Sequence, residues 1–347
     1  MSLGKRTGIT AGWMMIIADL ISAAAVALGF AGYLEHLLPI PTIAGALLLL
    51  GVLSFIAFAG IRESVGLVVV FTLVEIAGLI FIIVVGIPSW GDIDYFEMPQ
   101  GMGGVWSATA LIFFAYLGFD ELGNLAEETK RPERTLPLAL FVAMLVSSVI
   151  YITVSISAVS TVGWMDLSQS SAPLADVAAK AIGSRADVLL WYVALAATSN
   201  TVLLLMVSAS RSLHGMASSG VLPEWLLKVG FRKTPWLAIS ATTLATGLFI
   251  ALGDLETVAR MTNAVVLISF TLVNVSLFVW MIKTQKSGRS LLKDFLPPLL
   301  GAGTCLWLIS YTGIAAVGLA LLVAASGLVI SLRPSFSDNP KKTQSKE

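Results

Sequence analysis

Ten stretches of this chain are long and apolar enough to reach across a lipid bilayer, and nothing else in the sequence restricts its fold so sharply. They fall at about 10–34, 40–60, 65–87, 105–127, 136–161, 187–209, 235–252, 259–282, 295–311 and 313–332. A helix needs roughly 20 apolar residues to cross hydrocarbon. Every backbone N–H and C=O must find its partner there, which leaves only helices or closed barrels. The runs are continuous rather than alternating, so they predict helices. Charged residues make up 12% of the chain, well under the roughly one quarter usual in a soluble domain. The expectation is an all-α polytopic membrane protein. Residues 1–332 would form one membrane domain, and 333–347, with little to bury, a disordered cytoplasmic tail.

The basic residues sort by side. With ten crossings, 18 of the 21 Lys and Arg lie on the side of both termini, and Lys180, Arg185 and Arg260 on the other. The positive-inside rule then puts both termini in the cytoplasm of a cell-membrane protein. The formal net charge is zero, so bulk charge points to no partner such as nucleic acid. Cys305 is the single cysteine; it allows no disulfide within one chain and reads as a small buried hydrophobe. His36 and His214 fall at span ends, and no HExxH or Cys/His cluster exists, so neither a metal nor a cofactor is expected. The start, MSLGKRTGIT, lacks the cleavage pattern of a signal peptide.

The loops carry information too. Residues 88–104 place Trp90, Asp92, Asp94 and Glu97 on an acidic outer rim. The run PLADVAAKAIG is long enough for a short surface helix. In 211–234, Leu213, Met216, Val221, Leu222, Trp225 and Leu226 suggest short helices lying at the membrane interface.

Chemistry concentrates in FFAYLGFDELGNLAEETKRPERTLP, residues 113–137. A hydrophobic crossing meets Gly118, then carries Asp120 and Glu121 at membrane depth. Carboxylates there are costly and mark functional sites by default, and a Gly-interrupted, acid-bearing span points to a solute site. In one unbroken helix, Tyr116, Asp120 and Asn124 would share a face. A break near Gly118 would instead turn freed backbone groups into a cavity. A flexible glycine in a plain span is the bland alternative, but adjacent acids point about 100° apart and one would face lipid.

Other polar residues at depth are fewer. Asp19 either pairs inside the bundle or lines a cavity. Glu75, the one charge in its span, is either a neutral acid bonded to a neighbouring helix or a proton site, since apolar surroundings favour the uncharged carboxyl. Thr198, Ser199, Asn200 and Thr201 read first as hydrogen bonds between helices, with Ser199 and Asn200 on a solute pathway as the second reading. Thr262, Asn263, Ser269, Thr271, Asn274 and Ser276 read as glue in the same way. Ala25 and Gly29, four apart, suit close backbone packing.

The segment 113–137 resembles the sixth transmembrane helix and following loop of the amino acid–polyamine–organocation (APC) permease family, most specifically in EETKRPERTLP. SRSLHGMASSGVLPEWLLKVGFRKTPWLAI is similar to that family's loop between helices eight and nine, with His214 in place of the usual aromatic. TGITAGWMMIIADLISAAAVALGFAGYL is similar to its third helix. The resemblance implies the five-plus-five inverted-repeat, LeuT-like fold, with family helices three to twelve present and the first two absent. The chain is then expected to be a fragment of a complete permease, inactive or weak alone. By the same resemblance Phe114 closes over substrate, and Ala115, Tyr116, Gly118 and Phe119 form an unwound stretch whose backbone holds it. Asp120 matches a position often acidic in relatives. Glu75 matches a fifth-helix position where some proton-coupled relatives carry a lysine; a Glu there could bear a proton while inverting the charge.

The expected function is secondary active transport of an amino acid or polyamine by alternating access, coupled to protons or running as exchange. The missing first helix motivates one alternative, a non-transporting sensor or assembly partner derived from a permease. An intramembrane protease is the other, suggested by Glu127–Glu128. It needs an Arg and a His at set spacings within the membrane, and neither His lies at mid-depth, so no enzyme is expected.

Overall fold

The computed structural model describes residues 3–59, 65–119, 129–183, 186–230, 234–284 and 295–332. Among these every regular element is helical. The α-helices are α1 (Lys5–Glu35), α2 (Thr42–Ala59), α3 (Val65–Gly86), α4 (Gly101–Ile112), α5 (Pro132–Val162), α6 (Trp164–Gln169), α7 (Pro173–Ile182), α8 (Ala186–Ser218), α9 (Trp236–Ile250), α10 (Leu255–Lys283), α11 (Leu296–Ile309) and α12 (Ile314–Leu332). Among the described residues, seven helices are long and apolar enough to cross a membrane, and three shorter apolar ones accompany them. Local signals set several boundaries. Pro132 begins α5, where its missing N–H would be unbonded anyway. Asp254 caps α10 by accepting from Thr257 N–H at 2.9 Å, and that bond holds its carboxyl below the usual value.

α1 is the central pillar, packing against α2, α8, α9, α10 and α12. It is apolar on all sides, as a helix enclosed by others must be. Ala23, Ala24, Ala25 and Ala27 are fully buried. Lipid tails are as apolar as leucine, so helices associate through close van der Waals contact and small side chains permit it. Hydrogen bonds between helices are sparse but specific: Trp13 Nε1 donates to Ser326 Oγ at 2.9 Å, and the Ser54 and Thr243 hydroxyls meet at 2.7 Å. Large apolar residues remain exposed along α5, among them Leu138, Phe141, Leu145 and Val149, as lipid-facing residues would.

Several sequence expectations change in three dimensions. Gly29 is not at a backbone contact, since an added Cβ would meet nothing within 4 Å. Gly32, one turn on, is the close approach: its Cβ would lie 2.7 Å from Ser171 O. The PLADVAAKAIG helix exists as α7, but its inner face is buried through Ala175, Val177 and Ala178. Within residues 211–230 the chain does not start with separate short helices. α8 continues to Ser218, a short 3-10 turn follows at Glu224–Leu227, and Leu213 and Leu226 join a core with Ile16, Leu20 and Ala238. Thr198, Ser199 and Thr201 bond to carbonyls of their own helix, at Ala194, Leu195 and Ala197. Self-bonding wins because a hydroxyl one turn on reaches its own i−4 carbonyl without help from a neighbour. The tail 333–347 lies outside the described residues.

Where α3 meets α5, a Cβ on Gly86 would lie 2.4 Å from Ser157 Cβ and 2.9 Å from Ser157 Cα. Gly86→Ala is therefore expected to cost about 1–3 kcal/mol by overpacking. Gly29→Ala, with open space and a helical backbone, should be neutral or stabilise by up to about 1 kcal/mol. Unfolding midpoints of the two variants in one detergent check this, and equal midpoints would contradict the packing.

Candidate functional site

The site is built around the end of α4. The last regular helical bond of α4 runs from Phe113 N–H to Thr109 C=O. A tighter 3-10 turn, Phe113–Tyr116, follows, and then Leu117 is extended at φ −71° and ψ 151°. Gly118 has φ +103°, a conformation open to glycine and strained for any side chain. The chain thus leaves its helix between Phe113 and Gly118, and the regular i to i+4 pattern of backbone bonds ends there.

Side chains from two other helices supply the missing donors. On α10, Asn263 Nδ2 donates to Ala110 O at 2.8 Å and Leu111 O at 3.1 Å. On α5, Tyr151 OH donates to Ala115 O at 2.9 Å. Tyr116 OH donates to Ser148 Oγ at 3.0 Å, and the Tyr116 and Tyr151 rings meet edge-on at 5.4 Å.

A single face of α10 follows α4 downward in parallel. Arg260 Nη2 donates to Ser107 Oγ at 3.2 Å, and Asn263 reaches Ala110. Leu267 packs with Ala110, and Phe270 stands edge-on to Phe113 at 6.3 Å. The spacing i, i+3, i+7, i+10 keeps all four on one stripe. Arg260 is further held by Glu256, 2.8 Å away, and by Tyr311 O at 3.2 Å.

Two cavities flank this region. One, of about 790 Å³, lies between the start of α1, the end of α8 and the second half of α10, and is lined by Asp19, Ser212, Ser269 and Phe270 among others. The second, about 740 Å³, lies at the start of α4 and end of α5, lined by Asp94, Glu97, Gly104 and Trp164 among others. Since α4 and α10 run parallel, the second lies level with the start of α4 and the first level with the later part of α10, toward opposite ends of the bundle. Trp164 Nε1 donates to Glu97 Oε2 at 3.3 Å across the second.

The sequence candidates distribute unevenly over this geometry. Phe114, Ala115, Tyr116 and Gly118 lie in the break and Phe119 directly follows it, and Phe114 packs against the main core beside Phe113 and Leu117. Asp120, with Glu121, Asn124, Glu127 and Glu128, lies outside the described residues. Asp19 lines the first cavity, which touches the break through Phe270. Ser199, Asn200 and Glu75 line neither cavity. Glu75 sits on α3, and its Oε1 is buried with no hydrogen-bond partner among the described residues. The groups that hold the break, Asn263 and Tyr151, and Arg260, which bonds earlier on α4, were not singled out by sequence reasoning. Asn263 was grouped with helix glue, and of the α10 residues in that group Thr262, Thr271 and Asn274 bond within their own helix while Asn263 crosses to α4. The i, i+3, i+7, i+10 stripe was the signal that could have separated it.

A polytopic helical bundle with cavities at both ends and an interrupted crossing between them belongs to the class of membrane transport proteins. The family model described as amino acid permease matches residues 2–340, and the chain belongs to that family, within the APC permeases. It is similar to the methylthioribose transporter of Bacillus subtilis, 30% identical over 365 residues covering 95% of this chain and 77% of that protein. It is 26% identical to the branched-chain amino acid permease BcaP of the same organism, covering 95% of this chain and 76% of that one. The vacuolar cationic amino acid transporter 4 of Arabidopsis thaliana is 29% identical over 80% of this chain and 50% of its own length. These relatives are transporters, not enzymes.

The backbone at Gly118 yields a direct test. Gly118→Ala should cost about 1–2 kcal/mol, the penalty for a side chain in left-handed backbone, read as a lower unfolding midpoint in detergent. An unchanged midpoint would mean the segment takes another shape at no cost.

Proposed function

We propose that the protein carries out secondary active transport of an amino acid by alternating access across the cell membrane, with both termini in the cytoplasm. The observation that carries this reading is the break at Phe113–Gly118, set between cavities at opposite ends of the bundle. A solute bearing both ammonium and carboxylate needs donors and acceptors at membrane depth, and unwound backbone provides both. Ala115, Tyr116, Gly118, Phe119 and Asp120 hold the solute in this proposal, and Phe114 closes over it. Asp19 lies on the route from one end, with Ser199 and Asn200 as further pathway residues. The names of the relatives suggest branched-chain and cationic amino acids, with methylthioribose as a third probe.

Glu75 is assigned to proton coupling in the same proposal. A carboxyl with one oxygen buried and unpartnered among the described residues is costly in an apolar span unless it carries a proton in part of the cycle. Proteoliposomes of the full-length gene product should take up labelled leucine, arginine or methylthioribose saturably. Glu75→Gln should flatten the pH dependence of that uptake. Uptake of none of the three argues against transport; an unaltered pH profile removes Glu75 alone.

Phe114→Ala separates packing from solute closure. Its uptake per folded carrier is expected to fall by roughly tenfold or more, as for loss of one buried aromatic contact, while membrane abundance changes little. Parallel losses in both would reduce Phe114 to a core residue.

A further inference from the structure

We infer that Asn263 and Tyr151 are positioning residues that hold the α4 break in its working shape from two opposed helices; the inference rests on the reading that the break is where solute is held. Three carbonyls, those of Ala110, Leu111 and Ala115, are taken up by these two side chains. The chemistry fixes the orientation of the Asn263 amide. Two carbonyl acceptors can face only its NH2 group, never its oxygen. Both donors are then used, and Oδ1 is left buried with no partner.

That leftover oxygen excludes ordinary core packing as the reason for the residue. Asn263 is 0% exposed, and a buried acceptor without a donor is destabilising by itself. A leucine, with the same branched four-atom side chain though a larger one, would avoid that penalty. Only the two carbonyls at the end of α4 gain from an amide here. Removal would take the side-chain donor from Ala110 O and leave Leu111 O with the Phe113 N–H alone.

The two holders belong to different groups of helices. α10 packs with α1, α11 and α12, whereas α5 packs with α3 and α7. The break is therefore gripped at its upstream end by one group and at Ala115 by the other. Any movement of α5 relative to α10 acts directly on the backbone of residues 110–118.

The test is amide hydrogen exchange on the purified protein in nanodiscs without solute, reading peptides that cover 109–119. Asn263→Leu and Tyr151→Phe should each speed exchange in that segment about tenfold, the scale set by loss of a buried hydrogen bond. Peptides from α1 and α12 should stay within about twofold, since neither helix shares the bond that is lost. A purely structural asparagine would leave the segment unchanged, or protect it, once leucine replaced it. Unchanged exchange at 109–119, or equal acceleration across all helices, overturns the inference. Should Asn263→Leu fail to fold, Tyr151→Phe, which loses a single hydroxyl, decides alone. No solute enters this measurement, so it can fail while the transport reading stands. Where uptake is established, both variants should raise the half-saturating concentration more than they lower the maximal rate per folded carrier.

Discussion

Backbone hydrogen bonding in hydrocarbon governs this molecule. A crossing that stays helical satisfies itself, and one that breaks must recruit donors from its neighbours. α4 breaks after Ile112, and Asn263 and Tyr151 are the side chains that answer. The stripe Arg260, Asn263, Leu267 and Phe270 then fixes how α10 must lie against α4. The position of α10 in turn depends on α1, its principal neighbour on the other side.

Packing around α1 follows from the same solvent. With no hydrophobic drive between helices in lipid, contact area must come from close approach. A pillar of fully buried alanines meets five other helices, and glycines allow contact where backbones come nearest: Gly32 at Ser171 and Gly86 at Ser157. Polar links are used sparingly and mostly near helix ends, where Trp90 reaches Ser157 at 2.9 Å and Trp164 reaches Glu97. At mid-depth, most hydroxyls return to their own helix.

The functional region combines rigid and unsatisfied parts. The break is held by hydrogen bonds on both sides, yet Asn263 Oδ1, Ser269 Oγ and Glu75 Oε1 are buried without partners among the described residues. Ser269 lies in the wall of the cavity that Asp19 also lines. Stranded polar atoms of this kind are costly in an interior, and two of them, on Asn263 and Ser269, belong to α10, the helix that runs beside the break. A membrane protein of the amino acid permease family has reason to keep them, because its solute is itself a bearer of charge and hydrogen bonds.

Much of this was legible in the order of residues. Continuous apolar runs dictate helices, because only helices close their own hydrogen bonds in lipid. Pro132 announces the start of α5, and Gly118 marks where α4 cannot continue, since its backbone geometry admits no other residue without strain. EETKRPERTLP carries the resemblance to the family to which the chain belongs. Three dimensions decided what lies beside what. Gly29 and Gly32 look alike in sequence, yet only Gly32 meets another backbone. Thr198 and Asn263 both read as glue, yet Thr198 bonds its own helix and Asn263 spans to α4. Periodicity tells which residues share a face, while the partner across that face depends on how the helices pack, and that is settled by contacts remote in the chain.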